Sequence, residues 1–283
     1  MTEQSCFVVG TDGSTHAANA VTWAAREARR VNLPLRIVTV VQRWAELRLE
    51  YSHVHTAQED HARNLLDRAR DTVLTDFPDL NVEAVLRTGE PVEELSQMSS
   101  DAHLLVTGTR GRGGFTGMLL GSTSHSLTAR SAAPLVVVPG PLPPPTGPVV
   151  VGVDGSEEAK RALEFAAEQA HSRLVPLVAV QVVAEPPWFG PAEIYGDWLE
   201  DVLALSEEAL AEDLDRIRQR YSDVEIHAQV RRGHPADELR RVSENAQLLA
   251  VGSHGRSIGR SVLVGSISHG VLHHASCPVA VLT

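Results

Sequence analysis

The feature that most restricts the fold of this chain is an internal duplication. "FVVGTDGS" (Phe7–Ser14) returns as "VVVGVDGS" (Val149–Ser156), with Asp12 and Asp154 standing 142 residues apart. "VLRTGEPVEEL" (Val85–Leu95) returns as "QVRRGHPADEL" (Gln229–Leu239), and Gly89 and Gly233 are 144 residues apart. "GTRGRGGFTGMLLGS" (Gly108–Ser122) returns as "GSHGRSIGRSVLVGS" (Gly252–Ser266), again at 144. "SAAPLVVVP" (Ser131–Pro139) matches "ASCPVAVLT" (Ala275–Thr283). The register drifts by two residues over the whole comparison, so the chain reads as two copies of one unit. Each copy has the size of an ordinary single domain. "PGPLPPPTGP" (Pro139–Pro148) offers almost no side chain to bury and reads as a stiff connector. The expected organisation is a first domain over 1–140, a Pro/Gly-rich linker over 141–148 and a second domain over 149–283.

Within a copy, short aliphatic runs alternate with helical patterns. Phe7–Gly10, Leu35–Val41, Asn81–Arg87, His103–Gly108 and Leu135–Pro139 are β-branched or aliphatic and bounded by turn residues, which predicts strands. Ser14–Arg30 opens on a capping serine and is rich in alanine, Thr56–Phe77 is amphipathic, and Pro91–Ser99 begins with proline; these predict helices. A further helix is expected from about Ser122. Strand–helix alternation with continuously aliphatic strands implies a mostly parallel sheet covered on both faces. The expected fold class is therefore α/β, in two tandem Rossmann-like units. Ligands of such sheets sit beyond the carboxyl ends of the strands, where strand order reverses. Both Asp-Gly-Ser turns and both glycine loops fall just after strands, on that same edge.

Composition removes several alternatives. The formal net charge is −11, which opposes general binding to nucleic-acid phosphates. Cys6 and Cys277 form no ligand-spaced pair and suggest no disulfide framework. "MTEQSCFVVG" lacks the basic and apolar regions of a signal peptide, and no apolar run has the length of a membrane helix. The expectation is a soluble cytoplasmic protein with no nucleic-acid or membrane partner.

Each glycine loop has the pattern Gly-x-x-Gly, nine residues, then Gly-Ser. Glycines let a backbone approach a ligand closely, and successive N–H groups form an anion nest. A helix start adds unpaired N–H donors, hydroxyls and the positive dipole end. Arg112 and Arg256 align between the copies and add charge. This chemistry suits phosphate. It is not the Walker loop, which ends in Gly-Lys-Ser/Thr, and "GTDGST" after the first strand does not fit the dinucleotide fingerprint. A glycine-rich surface loop with a serine-capped helix would share the pattern.

The Asp after strand one, the Gly-x-x-Gly-x9-Gly-Ser loop after strand four and the closing Pro-aliphatic strand together resemble the universal stress protein family, in its ATP-binding, tandem two-domain form. The resemblance spans nearly the whole chain. It implies an α/β sandwich with a five-stranded parallel sheet in each domain, and one ATP or other adenine nucleotide per domain with Mg2+ among the phosphates. Carried over by position, Asp12 and Asp154 lie at the base and ribose end, and Val40 and Val182 meet adenine through backbone groups. Gly108, Gly111, Gly121 and Ser122 form the first phosphate cradle with Thr123 and Ser124. Gly252, Gly255, Gly265 and Ser266 form the second with Ser268. The closing strands Leu135–Val138 and Val279–Leu282 pair between protomers in that family, which implies an internal pseudo-dimer of the two copies and allows a homodimer.

Other signals compete. His53, His55 and His61 with Glu59 and Asp60 suggest zinc, but no further ligand has clear spacing, and a solvated loop is the plainer reading. His273 and His274 suit the end of the last helix. Cys277, before Pro278, reads as buried. Trp44, Trp188 and Trp198 fall in the irregular segments after each second strand, positions from which they cover a nucleotide or bury at an interface. No repeated catalytic base is evident, although His125 and His269 align. Three readings stay open: a nucleotide-binding stress or regulatory protein with slow or no hydrolysis, an ATP-using enzyme on a related sheet, and a nucleotide-free interaction module. An adenylating ligase would carry Ser-Gly-Gly-x-Asp-Ser after the first strand, where this chain has "TDGS".

Overall fold

The computed structural model describes residues 5–42, 52–111, 120–184, 196–255 and 265–283. The chain divides into two compact units, Met1–Leu142 and Pro143–Thr283. The first contains β1 (Cys6–Gly10), α1 (Thr15–Arg30), β2 (Leu35–Val41), α2 (Ser52–Asp76), β3 (Val82–Thr88), α3 (Pro91–Ser99), β4 (Ala102–Gly108), α4 (Ser122–Leu127) and β5 (Leu135–Val138). The second contains β6 (Val149–Val153), α5 (Glu157–Arg173), β7 (Leu177–Val183), α6 (Gly196–Arg220), β8 (Ile226–Arg232), α7 (Pro235–Val242), β9 (Leu248–Gly252), α8 (Ser266–His274) and β10 (Val279–Leu282).

Within the first unit the strand order is β3-β2-β1-β4-β5, and every pairing is parallel. The second unit repeats it as β8-β7-β6-β9-β10, again parallel. Each is the expected five-stranded α/β fold. The registers are direct: Phe7 pairs with Leu35 and Leu105 with Leu135. The chain builds outward through β1, β2 and β3, then crosses to the other side of β1 for β4. The sheet therefore reverses between β1 and β4, and between β6 and β9.

Val8, Val9, Leu105 and Val136 are wholly buried, as are Val149, Val150 and Leu249. Strands this aliphatic need cover on both faces. In the first unit α1 packs on β1, β4 and β5 and beside α2, whereas α3 packs on β4, β1 and β2 and beside α4. Alanine makes the central helix fit closely: Ala17, Ala20, Ala24 and Ala28 are buried along one side of α1, as are Ala159, Ala162, Ala166 and Ala170 along α5.

The same local device starts both central helices. Asp12 Oδ1 accepts the Ser14 N–H at 3.0 Å, Gly13 takes φ of 79°, and the Ser14 hydroxyl oxygen accepts the Ala17 N–H at 3.2 Å. Asp154, Gly155 (φ 78°) and Ser156 repeat the arrangement with the Ala159 N–H at 3.1 Å. The turn is an Asx turn, glycine supplies the positive φ, and serine caps the helix. The two helices also end alike. Leu33 N–H donates to the Ala28 carbonyl and Val175 N–H to the Ala170 carbonyl, with a left-handed residue before each donor. That is a Schellman closure. In the first copy the left-handed residue is Asn32, at φ 56°. In the second it is Leu174, also at φ 56° and 86% exposed, where a β-carbon in the left-handed region is strained and no burial compensates.

Helix placement differs from expectation in two places. α2 begins at Ser52 rather than at Thr56, so His53 and His55 belong to the helix that was expected to hold His61, and not to a solvated loop. α4 starts at Ser122, as expected, and is six residues long. Trp198 lies on α6, exposed, instead of in an irregular segment.

Cys6 and Cys277 are both buried and reduced. Burial pushes the Cys277 thiol from its ordinary 9.0 up to about 12. The folded chain thus keeps this proton where the unfolded chain has lost it, so stability falls as pH rises between those values. The slope from this group is at most about 1.4 kcal/mol per pH unit. Denaturant titrations across pH 9 to 12 should show a shallower decline for Cys277→Ala than for the parent chain. Leu174→Asn should stabilise the protein by about 0.5–1 kcal/mol by relieving the left-handed leucine, read from the urea midpoint.

Candidate functional site

The reversal between β1 and β4 leaves a crevice at the carboxyl edge of the first sheet. Its geometry starts from Gly108, the last residue of β4. A β-carbon there would stand 2.7 Å from the His16 carbonyl carbon and 2.9 Å from the Ala17 nitrogen. Only glycine lets the strand end meet the first turn of α1 backbone to backbone. Gly252 meets the first turn of α5 in the same way, with its missing β-carbon 3.0 Å from the Ala159 nitrogen.

Gly111 holds the loop against the acidic turn. A β-carbon there would come within 2.5 Å of Asp12 Oδ2, and one on Gly255 within 2.6 Å of Asp154 Oδ2. In each copy the half-buried carboxylate has one oxygen in its own turn and the other against the glycine loop. The base of each loop is closed by a backbone bond. Gly121 N–H donates to the Thr109 carbonyl at 2.6 Å and Gly265 N–H to the Ser253 carbonyl at 2.8 Å. Below it, the Ser124 hydroxyl donates to the Gly108 carbonyl at 2.7 Å, and the Ser268 hydroxyl to the Gly252 carbonyl at 2.6 Å. These two serines are buried, and their protons bind the loop to the strand end rather than projecting into the crevice. Ser122 and Ser266 are exposed at the helix starts.

The first crevice is a cleft of about 800 Å³. Its walls include Asp12, Val40, Gly108, Gly111, Gly121, Ser122, Thr123 and Ser124, so the structure brings these sequence-selected residues around one space. The second crevice is about 80 Å³ and is bordered by Asp154, Val182, Gly252, Gly255, Gly265, Ser266 and Ser268. Arg112 and Arg256 lie outside the described residues, as do Trp44 and Trp188. Sequence reasoning missed the α2 wall of the first cleft, where Gln58, His61, Ala62 and Leu65 face it, and Pro91 and Leu95 of α3. The amphipathic pattern of α2 was a visible signal for one packed face, but not for which part of that face stays open at the sheet edge. Thr107 and Arg110 also line this cleft; the Thr107 Oγ1 and Arg110 Nε atoms are buried and have no hydrogen-bond partner among the described residues.

Around the first loop a small polar network ties the end of β5 to the site. His16 Nδ1 is 2.6 Å from the Pro139 carbonyl oxygen and 3.2 Å from Thr109 Oγ1, and the Thr109 hydroxyl donates to the same carbonyl at 3.1 Å. Among the described residues no cluster of three or more His, Cys, Asp or Glu side chains can hold a metal ion, and no helix is long and apolar enough to cross a membrane.

A parallel sheet with an acidic turn and a glycine loop meeting at its reversal point defines an α/β protein with a cleft at the strand ends, built twice. The universal stress protein family model matches residues 7–139 and 146–283, and the chain belongs to that family. A universal stress protein of Mycobacterium tuberculosis is 35% identical over 303 residues, covering 97% of this chain and 94% of that protein. One from Mycolicibacterium smegmatis is 35% identical over 291 residues, covering 98% and 96%. A universal stress protein structure from Archaeoglobus fulgidus has the same fold, with a TM-score of 0.73 at 21% identity, covering 98% of this chain and 96% of that one.

The contact between glycine loop and acidic turn predicts an energetic coupling. Gly111→Ala should destabilise the first unit, because the new methyl group displaces the Asp12 carboxylate. In an Asp12→Ala background the same change should cost less, with a coupling of about 1 kcal/mol in a double-mutant cycle followed by chemical denaturation. Additive losses would mean that the two residues do not meet.

Proposed function

We propose that this protein is a regulatory adenine-nucleotide-binding protein with one site in each unit, and that it hydrolyses ATP slowly or not at all. The observation that carries the reading is the first cleft, where Asp12 on one side and Gly108, Gly111 and Gly121 on the other enclose a space of about 800 Å³. That volume lies within the roughly 300–1,000 Å³ usual for small-molecule and cofactor sites. In this reading the Asp12 and Asp154 carboxylates accept hydrogen bonds from ribose hydroxyls or the adenine amine. The strand-two segments at Val40 and Val182 border the base, and the glycine loops, with Arg112 and Arg256, receive the phosphates. The exposed hydroxyls of Ser122 and Ser266 stand at the same edge.

The donor set fits Mg2+ bound with the nucleotide. Mg2+ prefers hard oxygen ligands and usually keeps several waters while resting on substrate phosphates. The exposed Ser122 and Ser266 hydroxyls at the sheet edge suit that mode, and no dedicated cage is needed. Among the described residues Asp12 is the acidic side chain on the first cleft, and it is engaged with its own turn and packed against Gly111. Fast hydrolysis needs a group that orients the attacking water and another that stabilises charge in the transition state. Committing the carboxylate to the turn favours holding a nucleotide over cleaving it.

Denaturing the purified protein and weighing what is released tests the reading directly. The expected release is adenine nucleotide. A protein that releases none and binds none by calorimetry is not a nucleotide-binding protein. Asp12→Ala combined with Gly121→Ala should weaken the first site by about tenfold or more, the loss of a charged hydrogen bond, and leave the second unchanged. Rapid, sustained product release with ATP and Mg2+ would make it an enzyme instead.

A further inference from the structure

The two clefts share a backbone but differ in the side chains that face a ligand. Thr107 lines the first cleft and is 5% exposed, and its Oγ1 is buried with no hydrogen-bond partner. Arg110, on the same wall, has a buried and unpartnered Nε. Folded chains pair nearly all buried polar atoms, and an orphan calls for a water, an ion or a ligand. Thr107 and Arg110 thus bring polar side chains whose own needs the described residues leave unmet to the wall of the first cleft. Among the described residues no such atom borders the second cleft.

The aligned positions explain the difference. Val251 stands where the first copy has Thr107, and Ile267 where it has Thr123; both border the second cleft. His254 stands in place of Arg110, and its Nδ1 is already 3.0 Å from Ser253 Oγ. Two hydroxyls have become hydrocarbon, and a permanently charged guanidinium has become an imidazole engaged by its neighbour. Arginine carries a fork of five N–H donors suited to phosphate and is always charged; histidine offers at most two donors. An apolar wall beside a polyanion also leaves phosphate oxygens that have given up water without a replacement donor. The spaces differ in the same sense, about 800 Å³ against about 80 Å³.

We propose that the two sites are unequal: the first unit holds the nucleoside triphosphate tightly, the second weakly, and Thr107, Arg110 and Thr123 set the difference. This rests on the adenine-nucleotide reading of the clefts. The first site is then occupied over a wide range of nucleotide concentration, and the second responds only to high concentration. One chain would report two levels of the same ligand.

The test is calorimetric titration of the full chain with ATP and Mg2+. Two classes of site are expected, the tighter by roughly tenfold or more, as the loss of hydrogen bonds to a charged ligand implies. Asp12→Ala should remove the tight class, and Asp154→Ala should leave it. Thr107→Val with Thr123→Ile should bring the first site toward the weak class. The reciprocal Val251→Thr with Ile267→Thr should tighten the second, a gain that misfolding cannot produce. Two equal classes, a tight class lost with Asp154→Ala, or reciprocal variants with unchanged affinities would overturn the inequality while leaving the nucleotide reading intact. Absence of any binding to either unit would remove the nucleotide reading itself, and the inequality with it.

Discussion

Everything at the candidate site depends on one close approach of backbone to backbone. β4 ends on Gly108, and the first turn of α1 lies so near that a single methyl group has no room. Because α1 follows β1 and β4 is the neighbour of β1 across the reversal, this contact joins the two sides of the crevice. It sets where the glycine loop leaves the sheet and where the Asp-Gly-Ser turn meets it. Gly111 against Asp12 is the next contact outward, and the Thr109–Gly121 backbone bond closes the loop behind it. The second unit repeats all three with Gly252, Gly255 and Gly265. Glycines spaced this way are needed by the fold as well as by any anion, which is why the loop pattern alone could not separate the two roles.

The acidic turn carries two duties of a similar kind. Asp12 closes an Asx turn and thereby places Ser14 to cap α1. The same carboxylate borders the cleft. A residue whose side chain is already oriented by its own turn loses little freedom when it meets a ligand, and a preorganised contact of this sort favours binding. Rigid placement is less suited to moving protons. The regulatory reading and the geometry of the turn are therefore two aspects of one arrangement.

Much of this was legible in the sequence for physical reasons. A duplication that spans the chain requires each half to close its own core, and aliphatic runs alternating with capped, alanine-rich helices leave the parallel doubly covered sheet as the natural solution. β2 was predicted with the bounds it has, and α1 with its capping serine, because burial and capping are both written in short local patterns. The α2 start was misplaced because the histidine and hydroxyl residues around Ser52 are weak helix signals. The serines of the glycine loops were assigned to phosphate, whereas Ser124 and Ser268 spend their hydroxyl protons on strand-end carbonyls sixteen residues away. No local pattern shows which acceptor a hydroxyl will find.

What the sequence determined by itself was the repeat, the α/β class and the set of residues that collect at one sheet edge. These follow from periodicity, turn chemistry and the connection rules of parallel sheets, all of which act over short stretches or on chain order. Only the tertiary structure decided that Thr107 and Arg110 belong to the first cleft, that the α2 wall stays open beside it, and that the second cleft is smaller and bordered by Val251 and Ile267. Those properties depend on which side chains from distant elements converge and which polar atoms are left without partners. Packing sets them, and packing is not readable from either copy alone.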